Sequence, residues 1–554
     1  MERLKLTMTA LLCFLFMAAQ VSAQENSIAG RIVASGGNFP IVNARVIARA
    51  AGGATQVRVA TTDEDGKFQL TNLTPANYVI RVGAAGYISE PSLAAAIPTA
   101  FYRPGENITI RMVKGGVITG RVLNKNGEPM ALARVRSVRV KDAEGNPVRD
   151  AITGRDWTTD DRGMYRLYGL EPGAYLVSAT FTNMFRPAPG QARTGQRSEA
   201  APTYYPSSTL DGATLVNVEA GNETGGIEIR YRAEHSYAVQ GTIAGHNARS
   251  GAQLGRTAVS VTLSHAGTGV TVAFTTIVPV SGNNVFNFEG VPDGNYELTA
   301  QTAPGTSDAA IALPQRVNVQ GASVTGIVLT LTPMGSIAGR VLLETTEPID
   351  ACRSAKTASI EETLISARRE VESTKQTPIE AKPDAGGEFL LTSMTTGRYL
   401  LDVRPPGTHW FVRDIAWENA ATPAKSPLSG VTLKLGERLQ GLRVKLAQGA
   451  ASIAGHVSAA KTGAALPSRV RVYVVPAEKE QANNALRYAD TPVQADGAFS
   501  ISNLAPGNYL LLVREADAAM TRAELRSAAN TANVKVELQP CQKVVNQTLR
   551  FTNQ

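Results

Sequence analysis

The stretch Asp496 to Val513, DGAFSISNLAPGNYLLLV, carries apolar Phe499 and Ile501 alternating with Ser500 and Ser502. It then breaks at Pro506-Gly507 and alternates again through Tyr509, Leu511 and Val513. Period two on either side of a Pro-Gly pair is the pattern of two β-strands joined by a tight turn. Four relatives precede it: GKFQLTNLTPANYVIRV, GMYRLYGLEPGAYLVSA, NVFNFEGVPDGNYELTA and GEFLLTSMTTGRYLLDV. The intervals Gly66 to Tyr78, Gly163 to Tyr175, Asn284 to Tyr296, Gly387 to Tyr399 and Gly497 to Tyr509 are each twelve residues. A phrase repeated at fixed internal spacing marks a repeat architecture.

A second signature stands ahead of each hairpin: SIAGRIV at Ser27, VITGRVL at Val117, AVQGTIA at Ala238, SIAGRVL at Ser336 and SIAGHVS at Ser452. One face of this strand is apolar with a glycine at its centre, as in Ile118, Gly120, Val122; the other carries Arg31, Arg121, Thr242, Arg340 and His456. Glycine in mid-strand weakens the strand, so its recurrence predicts a bulge or the close approach of another backbone or a large side chain. A third strand closes each repeat: ENITIRM, GIEIRYR, GIVLTLT, GLRVKLA and NQTLRF. Short strands, regular turns and little helical period predict an all-β tandem array of five antiparallel β-sandwich modules. Their expected limits are 24–113, 114–233, 234–333, 334–448 and 449–554, with almost no linker, as in a stiff string of beads. Pro172-Gly173 and Pro506-Gly507 suit the centre of a type II turn. Residues 358–375, ASIEETLISARREVESTK, read either as strands or as a short charged helix.

Arg3 and Lys5, the apolar run LLCFLFMAA and the small-residue ending Val21-Ser22-Ala23 have the order of a secretory signal over residues 1–23. The apolar run is shorter than the ~20 residues of a membrane span, and no later run approaches that length. Losing Arg3, Lys5 and Glu2 removes two positive charges and one negative, taking the formal charge from +8 to +7. The cations are scattered rather than clustered, which argues for solubility and against a nucleic-acid partner. Beyond the signal two cysteines remain, Cys352 and Cys541, a candidate disulfide in an exported protein or two free thiols.

The opening G-x-[IV]-x-G-x-[IV] strand followed by D-x-x-G-x-[FY]-x-[LI]-x-x-L-x-P-G-x-Y resembles the carboxypeptidase regulatory-like domains. These are relatives of collagen-adhesin B-type and starch-binding-like modules with a prealbumin-like sandwich. The second repeat carries the motif as Asp160, Gly163, Tyr165, Leu167, Leu170, Pro172, Gly173 and Tyr175; the third departs, with Ser281 and Asn284 at the Asp and Gly positions. The resemblance implies a sandwich serving as stalk, folding appendage or glycan-binding unit.

Catalytic motifs are not found. The five histidines, at 235, 246, 265, 409 and 456, open no H-E-x-x-H or H-x-x-E pattern, so no zinc site or other cofactor is expected. Asp63-Glu64-Asp65-Gly66 lacks the distal ligands of a calcium loop and reads as an acidic hairpin turn. Binding residues are sought among aromatics outside the repeat: Trp157, Tyr204, Tyr205, Trp410 and Trp417, since exposed rings stack on sugars. The alternative for these rings is to cap the ends of the sandwiches. The expected protein is exported and non-enzymatic, in the periplasm, at the outer-membrane surface or outside the cell, a display scaffold with weak carbohydrate binding. The alternative is an accessory protein docking on an outer-membrane transporter or envelope complex.

Overall fold

The computed structural model describes residues 26–53, 56–89, 101–148, 156–181, 201–232, 235–245, 258–278, 284–303, 309–344, 358–370, 378–418, 427–459, 466–467, 470–494, 496–515, 520–532 and 534–551. The expected signal segment, Cys13, Cys352, His246 and Ser281 lie outside them.

Strand pairing gathers the chain into five consecutive sets, and no sheet draws strands from two of them. They are called units one to five, with strands running from Ile28 to Lys114, Gly116 to Arg230, Tyr237 to Pro333, Gly335 to Gln448 and Ala451 to Phe551. Units one, two, four and five are each two facing sheets. In unit five the first sheet orders Ala498–Leu504, Ala451–Ala459 and Lys543–Phe551, and the second orders Ala489–Pro492, Val470–Pro476, Gly507–Glu515 and Val534–Leu538. The inward residues predicted from the hairpin, Phe499, Ile501, Tyr509, Leu511 and Val513, all lie in the core of that unit. Unit three departs from the sandwich, because Ala310–Val319 pairs with both Gly294–Thr302 and Val324–Pro333 and joins its strands into one seven-stranded sheet.

Most pairings are antiparallel, but in every unit the opening strand pairs in parallel with the closing strand. This pair explains the repeated glycine. A Cβ on Gly30, Gly120, Gly241, Gly339 or Gly455 would sit 2.2, 1.8, 2.4, 2.2 or 1.9 Å from the carbonyl oxygen of Ile108, Ile227, Ile327, Leu442 or Gln547 on the closing strand. The aromatic ring of the hairpin presses from the same side at Phe68, Tyr165, Phe286 and Phe389. In units two to five the ladder also shifts register next to the glycine. Both readings of the glycine, a bulge and a close approach, are therefore met together.

The hairpin residues divide their labour. Asp63 accepts the backbone N–H of Asp65 and Lys67 through Oδ1, Asp160 those of Arg162 and Met164, and Asp384 those of Gly386 and Glu388. These are Asx turns, in which the carboxylate replaces a backbone acceptor. Each repeat tyrosine donates its hydroxyl to the carbonyl four residues upstream: Tyr78 to Thr74, Tyr175 to Glu171, Tyr296 to Pro292, Tyr399 to Thr395 and Tyr509 to Ala505, at 2.7 to 3.0 Å. The tyrosine thereby locks the turn it follows, as the corner tyrosine does in other sandwiches.

The turn itself is not type II. Gly173 and Gly507 have φ of 145° and 144°, far from the +80° of that turn, and each begins its strand. The left-handed residue instead stands earlier, at Asn72, Gly169, Gly290, Ser393 and Asn503, with φ between 57° and 74°. Residues 358–370 resolve into a short 3-10 turn, Ile360–Glu362, and a strand, Leu364–Arg369. The sequence reading contains no helix in unit five, yet Arg522–Ala532 is an α-helix lying on the outer face of the second sheet, against Val475, Leu510 and Leu512.

Units also touch beyond their neighbours in sequence. Instead of an extended string, unit one meets unit four: Asn77 Nδ2 donates to Glu362 O at 2.6 Å, Arg103 to Pro405 O at 2.5 Å and Arg404 to Phe101 O at 3.1 Å. The Arg404 guanidinium lies 5.5 Å from the centre of the Phe101 ring, within cation–π range.

Candidate functional site

The five aromatic candidates are packed rather than displayed. Trp157 pairs across the sheet with Val135 and sets its ring edge-on to Tyr168, with centroids 4.5 Å apart. It is half-buried against the core of unit two, as is Tyr205. Tyr204 is 7% exposed, in a cluster of Val138, Leu176 and Leu210 from unit two with Val270 of unit three. Burial pushes its phenol up to about 12. Trp410 is 8% exposed, and its carbonyl accepts from Asn503 Nδ2 of unit five at 2.7 Å. Trp417 is half-buried on the same strand, and its buried indole N–H finds no acceptor among the described residues. A sugar could stack on Tyr204 or Trp410 only after the surrounding units moved apart. The structure leaves these residues in three places: Trp157 and Tyr205 against the core of unit two, Tyr204 in the separate cluster shared with unit three, and Trp410 and Trp417 against the core of unit four.

Two depressions lie at unit junctions, one bordered by Phe411, Leu486 and Arg487, the other by Ile311, Met334 and Tyr399. Among the described residues neither is lined by a carboxylate. Among the described residues no three of His, Cys, Asp and Glu are grouped to hold a metal ion. The Asp63 carboxylate is committed to its own turn. His265 is buried between units two and three, with Nε2 2.9 Å from Asp211 and Nδ1 3.2 Å from the hydroxyl of Thr268. Cys541 is disulfide-bonded.

The most heavily charged buried place is one that sequence reasoning missed, the contact of units one and four. Arg103 and Glu362 are 8% and 3% exposed. Burial, reinforced by the neighbouring Arg404, lowers the Arg103 guanidinium to about 10, and burial lowers that of Arg404 as well. Nε of both arginines and Oδ1 of Asn77 find no partner among the described residues. Burying charges with incomplete hydrogen bonding costs desolvation energy that their mutual contacts only partly repay, so this contact is weak evidence for stability on its own. No local signal predicts it, since Arg103 and Pro405 are about 300 residues apart in the chain.

These features define a tandem β-sandwich protein with a repeated glycine-centred strand and a tyrosine-locked hairpin. Residues 27–100, within unit one, match the family model described as Carboxypeptidase regulatory-like domain. No match was found among proteins of curated function. Among solved structures, the minor pilin of Streptococcus agalactiae is 16% identical over 37% of this chain and 94% of its own, with a TM-score of 0.20. Two B repeat units of the collagen-binding protein of Staphylococcus aureus are 14% identical over 76% and 99%, with a TM-score of 0.14. A Bacteroides ovatus protein described as a putative adhesin is 13% identical over 37% and 86%, with a TM-score of 0.19. Scores this low leave function to be argued from the chain itself.

Proposed function

We propose that the protein is an exported, non-catalytic scaffold that holds five sandwich units in a fixed, folded-back arrangement and presents their outer faces for binding. The observation that supports this most directly is the contact of unit one with unit four, where hydrogen bonds and a cation–π contact join segments far apart in sequence. A flexible chain of beads has no use for such a junction. Fixed orientation of several surfaces does.

Small-angle scattering on residues 24–554 tests the arrangement. A compact body of this length has a radius of gyration of about 24 Å, whereas five ~100-residue units laid end to end give roughly 50 Å. A value below about 40 Å supports the folded-back scaffold, and one near the rod value overturns it. Carbohydrate binding at the aromatic residues is the finer reading; Trp157, Tyr205 and Trp417 are the half-buried candidates, and Trp157, set edge-on to Tyr168, is the one taken for the test. A glycan array on the same protein and on Trp157→Ala is the check. A signal abolished by the substitution supports that site; silence, or a signal the substitution leaves intact, removes it.

A further inference from the structure

We propose that the outer face of the second sheet of unit one is a docking surface for an anionic polysaccharide. Its strands are Val57–Thr61, Arg45–Ala50, Tyr78–Gly83 and Phe101–Tyr102, in that order. Register lays the outward side chains out as a grid. Thr61, Arg45 and Gly83 form one row; Val59, Ile47 and Arg81 the next; Val57, Arg49, Val79 and Phe101 the third. Arg45 and Arg49 are four residues apart on one strand, hence about 13 Å, and Arg81 is diagonal to both at roughly 7–8 Å. All three arginines are exposed. None makes an ion pair among the described residues, and none of the four strands carries an Asp or Glu. Ile47 lies between Arg45 and Arg49 and pairs with Arg81, and Val57 and Val59 on the neighbouring edge strand are 40% and 51% exposed. Cations that look dispersed in the sequence are thus collected by the fold on one face.

The other units show that this face is usually dealt with. In unit two Val138 and Leu176 are covered by Tyr204, Leu210 and Val270. In unit five Val475, Leu510 and Leu512 lie under the helix Arg522–Ala532. In unit four the end at Arg404 is closed by unit one. In unit three the equivalent positions are polar, Ser260, Thr262 and Ser264 opposite Gln301, Thr299 and Glu297. Among the described residues, unit one leaves this face open, with exposed guanidiniums that form no ion pair on an aliphatic floor.

Geometry selects the occupant. Guanidinium forks pair with carboxylate and sulfate oxygens, while Ile47, Val59 and Val79 offer apolar contact to the C–H faces of sugar rings. A peptide adding as a strand to Val57–Thr61 would lie about three strand spacings, some 14 Å, from the strand of Arg81, so edge addition does not use the triad. The third row ends at Phe101 under Arg404 of unit four. Unit four therefore bounds the face at that end, and the vesicle competitor below separates a lipid surface from a polymer chain. It carries no free aromatic ring for stacking nucleotide bases.

Binding to immobilised heparin and polygalacturonate tests this, with neutral dextran, polyglutamate and phosphatidylglycerol vesicles as competitors. The mature chain is compared with Arg45→Ser/Arg49→Ser/Arg81→Ser and with the charge-matched Arg316→Ser/Lys535→Ser/Lys543→Ser. The expected result is at least a tenfold loss in the first triple, less than threefold in the second, and competition by neither dextran, polyglutamate nor vesicles. Equal losses in the two triples, retention of binding by the first, or competition by polyglutamate or vesicles at equal charge would overturn the proposal. Every substituted side chain is exposed, so melting curves unchanged within a few degrees confirm that folding is not what is read. The aromatic residues are not involved, so silence at Trp157 and failure here are separate outcomes.

Discussion

Gly120 has its notional Cβ 1.8 Å from the Ile227 carbonyl and 2.8 Å from the Tyr165 hydroxyl, so Gly120→Ala must push the closing strand of unit two away. The expected cost is about 1–3 kcal/mol, as for other overpacked sites, seen as faster amide exchange along Gly116–Leu123 in the intact chain. Gly83 is the control: it also lies in a strand, has no positive φ and has nothing within 4 Å, so Gly83→Ala should be neutral or slightly stabilising. Equal effects at the two sites would refute this account of the repeated glycine. Tyr509→Phe removes one hydroxyl that donates to Ala505 O at 2.7 Å and accepts from Arg487 at 2.9 Å. It should lower the unfolding free energy of unit five by about 1 kcal/mol, measurable as a shift in its urea midpoint. At this scale the sequence was readable where sterics act along one strand: the alternation exposed the core, and the out-of-place glycine announced a close approach. Which partner approached was hidden, because the alternation of one strand carries no information on its neighbour's direction.

Elements were legible in proportion to how much of their signal is local. The hairpins were, since turn and both strands fall within about twenty residues. The parallel pairing of first and last strands was not, because a period of two is the same for either direction. The helix Arg522–Ala532 was overlooked although its start is written in Thr521-x-x-Glu524, a capping box. Thr521 N–H and hydroxyl both donate to Glu524 Oε2, and the Thr521 hydroxyl accepts from Glu524 N–H at 3.3 Å. Thr521→Ala should cost about 1 kcal/mol, read as faster exchange of the Leu525 and Ala529 amides. The bond from the Thr521 backbone N–H, then that from its hydroxyl, holds the Glu524 carboxyl below its ordinary 4.5. A depressed folded-state value means this stabilisation is full above 4.5 and is lost as pH falls through the folded value. Exchange of Leu525 should therefore accelerate below pH 4.5 relative to strand amides in the same unit, and Glu524→Gln should flatten the response. The disulfide of Cys541 is a further element-scale link. Only Cys13 and Cys352 are available to it within the chain, and with Cys13 in the expected signal we propose Cys352. A non-reducing digest should yield one linked peptide containing Cys352 and Cys541, and reduction should destabilise unit five by about 2–5 kcal/mol; a free Cys352 would end the assignment.

The whole molecule is where sequence reasoning stopped, since the segments that meet between units one and four are separated by some 300 residues. The arginine face was hidden for a different reason: Arg45, Arg49 and Arg81 lie close in sequence but become neighbours only once their strands pair. The junction can be tested with a pair of neighbouring glycines. Gly52 and Gly53 both have positive φ, 74° and 80°, so a side chain at either incurs similar backbone strain. They differ in surroundings: a Cβ on Gly52 would lie 2.5 Å from the backbone nitrogen of Lys382 in unit four, whereas one on Gly53 meets nothing within 4 Å. Lys382 N also donates to Gly52 O at 3.3 Å, so the clash falls on backbone that is itself part of the contact. Gly52→Ala should therefore separate the two units and raise the radius of gyration toward the extended value, while Gly53→Ala should cost the same local strain and leave the scattering curve unchanged. Because strain cancels between the two variants, the difference reports the junction alone. Identical scattering from both would mean that units one and four do not hold together in solution.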